Sequence, residues 1–452
     1  MKNQRQHKMM QALKIQAAVL FPEVNRVSVS SIAIVGGGAS GLMAALLLAH
    51  THSEITVYEA SDKLGWTILR SGNGRCNFSN TKLGLENYTH PEFVSRVFKD
   101  KPEEEIQELF TRLGIQFIEE EGRLYPRSNS AQSVLQSMLN KLATSEVILK
   151  TNTRVSRIAK IDQRHGVKDI QSEGLPFTLF DERNEVLGQA DILIWAAGGA
   201  SLSEEARGMK LAHSATEPVL TALECESYLL KGLNGIRVEA MLKLTDRAYT
   251  PYFTEYGELL FRPYGVSGIA VFNLSRHLRP NSKLVCDFAW DMSIDELVDY
   301  LDALIKANPK LDFAHLLDGL LHPSLGRRIM ELTQPQTPDI LYDLEPKRKS
   351  AKRSVYPETG ISVPEVDTRE VAALVKNFEL DVYGKTLEAQ AQATRGGLEL
   401  REVNPQSFEL NQIPQFYVLG EALDVDAACG GFNLSWAWIS ALRAAQDIAS
   451  KL

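Results

Sequence analysis

Residues 31–59 read SIAIVGGGASGLMAALLLAHTHSEITVYE, and this stretch decides the fold. Ser31 to Val35 is a short apolar, β-branched run, the pattern of a buried strand. Gly36-Gly37-Gly38-Ala39-Ser40-Gly41 follows at once and spells G-x-G-x-x-G. Leu42 to Ala49 reads as a buried helix and Ile55 to Tyr58 as a second strand. A strand, a glycine turn, a helix and a strand within about 30 residues form the β-turn-α-β unit that opens a doubly wound sheet.

Each glycine has a separate task in a dinucleotide site. Gly36 allows the tight turn, Gly38 lets the backbone approach a pyrophosphate, and Gly41 lets the helix pack on the strand. The helix that begins after these glycines offers free N–H groups and a positive dipole end to phosphates. Glu59 closes the second strand, 23 residues after Gly36, where a carboxylate can accept hydrogen bonds from ribose hydroxyls. Its charge argues against a 2′-phosphate at this place. It does not separate FAD from NAD. A glycine turn with a chance acid downstream is the plain alternative, and the ordered succession of elements argues against it.

The whole chain fits an ordinary globular protein. It has 452 residues, 44% hydrophobic and 23% charged, with a net charge of −8. That length gives a prior of two or three domains. The negative balance argues against non-specific coating of nucleic acid. No run approaches the roughly 18 uninterrupted apolar residues of a membrane span. The four cysteines, Cys76, Cys225, Cys286 and Cys429, lie far apart with no C-x-x-C pair. No metal site is expected from that spacing, and a reducing compartment is the default. Residues 1–30 read as an amphipathic or poorly ordered extension, not a signal peptide, so a cytoplasmic location is expected.

Further segments complete a candidate site. Lys63-Leu64-Gly65 follows the acid, and Ser71-Gly72-Asn73-Gly74-Arg75-Cys76-Asn77 is a polar glycine-rich loop with one cation. A flexible surface loop would look the same. Ile192 to Ala196 is a buried strand, and Ala197-Gly198-Gly199 gives it a small-residue end that permits close approach of a ligand. Near the C-terminus, Tyr417-Val418-Leu419 runs into Gly420-Glu421 and Asp424. Gly430-Gly431-Phe432-Asn433-Leu434 then opens the final helix, Asn433 to Ile448. An acid at 421 can bind ribityl hydroxyls, and the helix end can face a flavin's pyrimidine edge.

Between these parts the texture changes after about residue 200. Strand patterns at 236–244, 252–261 and 283–288 mix with helical ones at 295–307 and 313–321. The expected organisation is therefore discontinuous: 31–200 plus 366–452 form an α/β, Rossmann-like dinucleotide-binding domain, and 201–365 form an inserted α+β, partly β-barrel-like domain. Lys347 to Arg353 is the one dense basic run. It reads either as a solvated linker end or as a contact for RNA phosphates.

The chain resembles the BaiN/RdsA family of bacterial NAD(P)/FAD-dependent oxidoreductases, flavoproteins of the two-dinucleotide-binding-domain type. The motifs that carry the resemblance are GGGASG at 36–41, SGNGRCN at 71–77, EGRLYPRSNSA at 121–131, GELLF at 257–261, YGVSG at 264–268, TRGGL at 394–398, GEALDVD at 420–426 and GGFNLSWAW at 430–438. The resemblance implies a bound FAD. Gly36, Gly38, Ala39, Ser40, Gly41, Glu59 and Lys63 would hold the ADP half, with Val155 at the adenine end. Ala197 and Gly198 would pass near the pyrophosphate, and Gly74, Gly420, Glu421, Asp424, Gly431, Asn433 and Leu434 would hold the ribityl chain and ring.

The implied activity is reduction of an activated C=C bond with electrons from NAD(P)H. Two alternatives accompany it: reduction of a uridine in large-subunit ribosomal RNA, and a non-catalytic flavin-binding redox sensor. Arg75, Cys76 and Tyr264 are the candidates for the acid or the carbonyl-polarising group. Trp66 and Thr67 replace the family's usual basic residues, 201–209 is shorter and more acidic, and Pro263 and Ile269 depart from the usual pattern. These departures touch substrate-side or cofactor-edge positions.

Overall fold

The computed structural model describes residues 30–162, 166–168, 176–333, 366–386 and 391–452. The N-terminal extension and the basic run 347–353 lie outside the described residues. The first unit is built on β1 (Ser31–Val35), α1 (Ala39–Leu48), β2 (Glu54–Tyr58), α2 (Pro102–Arg112), β3 (Ile148–Lys150), β4 (Ile192–Trp195), β5 (His213–Val219), β6 (Ala393–Leu398), β7 (Phe416–Val418) and α3 (Phe432–Lys451).

Five of these strands form one parallel sheet in the order β7-β4-β1-β2-β3. Val35 stands opposite both Tyr58 and Trp195. Parallel strands are covered on both faces, so they read as continuous apolar runs. Ile32 to Val35 and Ile192 to Trp195 are buried throughout. The edge strand β3 is short and more exposed, as an edge that avoids further pairing should be. The strand order reverses at β1, and in such sheets the crevice between β1 and β4 is where ligands bind. The Rossmann-like part of the expected fold is what the sheet shows.

A second unit spans Pro218–Ala391, and the first ends at Glu217 and resumes at Gln392. The sequence placed the boundaries at 200/201 and 365/366. Two pairings account for the difference. β5 and β6 form a two-stranded ladder within the first unit. The strand Phe378–Lys385 pairs with both Leu223–Cys225 and Lys283–Asp287, so it closes a six-stranded antiparallel barrel with Arg237–Thr245, Pro251–Arg262 and Gly265–Ser267. The barrel core holds Leu242, Leu244, Leu259, Phe261, Leu284 and Phe378. One expectation fails here. The helical pattern at 313–321 yields only a short 3-10 turn, Phe313–His315. The chain then turns through Leu317, whose carbonyl accepts from both Leu320 and Leu321 N–H, so the apolar spacing serves packed turns, not a helix.

No helix among the described residues is long and apolar enough to cross a membrane. The longest, α3, is anchored in the first unit by burial of Trp436, Trp438 and Ile439. Burial of each large apolar side chain contributes about 1.5–3 kcal/mol. Its orientation is also fixed by charge. Arg443 is 3% exposed. It donates to both carboxylate oxygens of Glu105 on α2 at 2.7 Å and to the Val97 carbonyl at 3.0 Å.

Removing one partner of a buried ion pair leaves an uncompensated charge and costs about 3–5 kcal/mol. Arg443→Met should therefore destabilise the first unit by that amount in urea, and Arg443→Met with Glu105→Leu should recover most of it. Tryptophan fluorescence is the readout, because four of the five tryptophans lie in this unit (Trp66, Trp195, Trp436 and Trp438). An unchanged midpoint in the single variant would show that the pair does not anchor α3.

Candidate functional site

The site begins where β1 stops. Gly36 has φ +104°, and its N–H donates to the Tyr58 carbonyl at 2.8 Å. A Cβ on Gly36 would lie 2.5 Å from the Ala196 carbonyl oxygen, and one on Gly41 would lie 1.9 Å from the Gly36 oxygen. Both positions need glycine for closeness of backbone, and Gly36 also for its dihedral. Gly38 differs. Its nearest neighbour would be Thr67 Oγ1 at 3.4 Å, so the space in front of it is open. Gly38 is the N-cap of α1, and no side chain caps it. Ala39 and Ser40 begin the helix, and first-turn N–H groups left without a capping side chain suit a phosphate.

Glu59 is held by three protein donors. Oε2 accepts from Gly37 N–H at 2.8 Å, and Oε1 accepts from the N–H and hydroxyl of Ser61, each at 2.8 Å. A carboxylate offers about four lone-pair sites, so one remains on Oε2 for a ribose hydroxyl. The next segment folds back over the glycine turn, with Gly65 N–H donating to the Gly37 carbonyl at 2.8 Å. Lys63 is exposed beside it, as are Trp66 and Thr67. Asn152 and Thr153 N–H groups bond to the Ser61 and Glu59 carbonyls, which brings buried Val155 into the same neighbourhood. Beyond β4, Ala197 is exposed and Gly198 has φ +90°.

The C-terminal segments meet this turn from the other side. A Cβ on Gly420 would lie 2.8 Å from Ser40 Oγ, so the two glycine motifs touch. Gly420 is held by α3: its N–H donates to Ser440 Oγ at 3.0 Å, and its carbonyl accepts from Trp436 Nε1 at 3.0 Å. Glu421 accepts a hydrogen bond from Thr394 N–H, and Oε2 faces Gly198, 3.8 Å from where a Cβ there would be. Burial pushes the Glu421 carboxyl up, and the Thr394 bond works against that. Gly431, with φ +90°, is the uncapped N-cap of α3. A Cβ there would lie 2.5 Å from the Ser79 carbonyl, and Asn80 Nδ2 donates to the Gly430 carbonyl at 3.1 Å. The loop after residue 71 and the helix end are therefore in contact. Asn433 uses its side chain locally, bonding both the N–H and the carbonyl of Ala427 at 2.9 and 2.8 Å. Leu434 packs partly buried against the core.

These observations fit a dinucleotide. The cradle excludes Cβ atoms at Gly36, Gly41 and Gly431, it leaves open space at Gly38, and Glu59 keeps an unused acceptor. Asp424 also lies in this unit. Its Oδ2 accepts from Ser214 Oγ at 2.7 Å and stands 3.7 Å from His90 Nε2, on the wall of a cavity.

The three candidate reactive residues have different surroundings. Arg75 donates to both oxygens of Glu120 at 2.7 and 2.6 Å and also to Asn129, and it stacks 4.1 Å over the Tyr125 ring. Beside it Gly74, with φ +84°, would place a Cβ in open space. Tyr264 belongs to the second unit, where its carbonyl accepts from Cys225 N–H at 3.0 Å. Cys76 is corrected as a candidate acid or redox group. Its side chain is fully buried, and burial pushes the thiol up to about 12. A thiol so raised stays protonated and out of reach, so Cys76 packs the core.

Residues missed by sequence reasoning hold the second half in place. Thr394 sits in a motif whose role was unread. Trp436 and Ser440 are four apart on α3, and that helical spacing alone was enough to put them on one face. The same burial argument covers three of the four cysteines. Thiol titration of the native protein should give at most one reactive group, Cys429, since Cys76, Cys225 and Cys286 are buried with raised thiols. All four should react in guanidinium, and fast native labelling of Cys76 would reverse its assignment.

Comparison with known proteins gives this geometry a family. Relatives align almost end to end. The 3-dehydro-bile acid delta(4,6)-reductase of Clostridium scindens is 28% identical over 440 residues, 93% of this chain and 99% of the relative. The ribosomal RNA dihydrouridine synthase of Haemophilus influenzae is 26% identical over 434 residues, 92% and 98% of the two chains. The protein of the same description from Escherichia coli is 24% identical over 430 residues, 92% and 97%. The glycine turn, the parallel sheet and most of the closing helix lie within residues 30–447, which match the family described as HI0933-like protein Rossmann domain, and the chain belongs to that family.

Proposed function

We propose that this chain is an FAD-dependent oxidoreductase that reduces a C=C bond conjugated to a carbonyl. The observation that carries the reading is the contact of Ser40 with Gly420. It joins a phosphate-type glycine turn to a second acid-and-glycine motif, so the two ends of one long cofactor have adjoining seats. The activities named for the relatives support the same chemistry, since both a dienone-type bile acid and a uridine carry a C=C next to a carbonyl.

The residues divide the work of holding the cofactor. The α1 end and Gly38 receive the pyrophosphate, and Glu59 accepts from the adenosine ribose. Val155 covers the adenine end, and Lys63 stands at the rim. Ala197 and Gly198 pass beside the pyrophosphate. Glu421 accepts from ribityl hydroxyls, and the uncapped α3 end beyond Gly431 faces the ring, where Asn433 and Leu434 offer backbone and apolar contact. A bound flavin supplies hydride to the electron-poor carbon. Arg75, braced by Glu120, is a positioning group in this reading, and Tyr264 is a candidate on the second unit. NAD(P)H is the proposed reductant. No second glycine fingerprint supplies it with a dedicated domain, so it would bind transiently. The substrate is a small conjugated ring, or that ring within RNA, and the reduced cysteines favour work in the cytoplasm.

The purified protein should be yellow, and its flavin should bleach on anaerobic addition of NADH or NADPH. A colourless protein that takes up no added FAD would sink the proposal. Glu59→Ala and Glu421→Ala should each weaken FAD retention. A hydrogen bond to a charged group is worth about 1.5–3 kcal/mol, so each loss should be about tenfold to hundredfold in Kd. Equilibrium dialysis with fluorescence of released FAD measures it.

A further inference from the structure

The first unit contains a cavity of about 680 Å³, lined neither by the residues that form the glycine turn at 36–41 nor by Glu59 or Glu421. Its walls carry His90, Ser214, Glu217, Arg395 and Asp424, with Tyr88 beneath them. This volume falls in the usual range for small-molecule pockets, about 300–1,000 Å³. The polar groups are of mixed kind. His90 can donate, while Asp424 and Glu217 can accept, as can Ser214 Oγ, whose own hydrogen goes to Asp424.

The charge arrangement narrows the occupant. Arg395 is the cation on the wall, and Asp426 answers it. Its Nε donates to Asp426 Oδ2 at 2.9 Å, and that carboxylate is 1% exposed. Glu217 Oε1 stands a further 4.0 Å from the guanidinium. Arg395 is thus answered by carboxylates before any ligand arrives, and the Asp424 carboxylate adds negative charge to the same wall. Phosphate and pyrophosphate are disfavoured there, because like charges at close range cost energy that nothing in the wall returns.

Position completes the argument. Arg395 follows Thr394, whose N–H binds Glu421, and Asp424 follows Glu421 by three residues. The same two segments that present Glu421 therefore also build the cavity. Ser214 fixes Asp424 at 2.7 Å, and Asp424 in turn stands 3.7 Å from His90, whose side chain is half-exposed.

We propose that this cavity binds the compound to be reduced, as a neutral ring that offers a carbonyl acceptor to His90 and an N–H or O–H donor to Asp424 and Glu217, and that it excludes the nicotinamide dinucleotide. The chemistry of the occupant rests on the flavin reading above, whereas its binding does not.

The test uses the full chain with ¹³C-labelled histidine. The signal lost in His90→Gln identifies His90. Uridine, 2-cyclohexen-1-one and NADP⁺ are then titrated separately. The expected result is a saturable shift of the His90 signal with at least one neutral ring and none with NADP⁺. Whichever ring acts names the substrate type. Asp424→Asn should raise Kd for uridine, which has an N–H to donate, by about tenfold, the worth of one charged hydrogen bond, and should leave Kd for 2-cyclohexen-1-one unchanged. Asp424→Asn combined with Glu217→Gln should let NADP⁺ begin to shift His90. A shift with NADP⁺ alone, or with none of the three, overturns the proposal. Absorbance of the same samples keeps the two readings apart: a colourless protein that still shows the uridine or cyclohexenone shift loses the flavin and keeps the pocket.

Discussion

The carbonyl oxygen of Gly36 lies 1.9 Å from where the Cβ of any other residue at position 41 would be. That closeness is the constraint on which the site depends. It presses the start of α1 onto the end of β1 at the point where the strand order reverses. It also lets Ala196, at the end of β4, close the other side of the turn, 2.5 Å from a Cβ on Gly36. The sheet alone would leave a crevice there. The missing side chains make it a crevice lined by backbone, which a phosphate can approach.

The second half of the site is held by α3, and α3 is held by things far from any ligand. Trp436 and Ser440 fix Gly420 from one face of the helix. Trp438 donates to the Phe78 carbonyl at 2.9 Å and packs on Phe110, while Arg443 is locked to Glu105. A displacement of this helix moves Gly420, Glu421 and Gly431 together, since they sit in its first turn or are bonded to it. Cofactor geometry is thereby coupled to the packing of Phe78, Phe110 and Trp438.

What could be read in advance follows from this division. The turn at 36–41 is local: its task is written in residues six apart, so its strand, helix and acid were legible. The seat at 420–434 was legible as a pattern of glycine and acid, but its partners Ser40, Thr394 and Ser440 lie 20 to 380 residues away in sequence, and nothing local marks them. Cys76 misled because its glycine-rich surroundings imply access, whereas access depends on what the fold stacks above it. Asp424 was grouped with Glu421 for nearness in sequence. The chain bends between them, and Leu398 C=O takes the Asp424 N–H at 3.0 Å, so the two carboxylates meet different surroundings. The limits of the inserted unit shifted for a similar reason, since pairing of β5 with β6 and closure of the barrel are both long-range events.

That pairing has a consequence for how such a protein can change its substrate. The chain leaves the first unit along β5 and returns along β6, and the two strands form one ladder. Gly396 is pinned in it, because a Cβ there would lie 2.2 Å from the Ala215 carbonyl. Ser214 and Glu217 lie on the outgoing strand and Arg395 on the returning one, so most of the cavity's polar groups sit on the ladder and not on the parallel sheet. Substitutions there leave Gly36, Glu59 and the α1 end untouched. Under the assignment proposed for this cavity, one cofactor cradle can serve rings of different kinds as the ladder changes, and relatives of 28% and 26% identity carry differently named substrates. The limit on such change is Thr394, whose N–H serves Glu421 while its neighbour Arg395 serves the cavity. Position 395 can vary only as far as Asp426, buried beneath it, can be neutralised by something else.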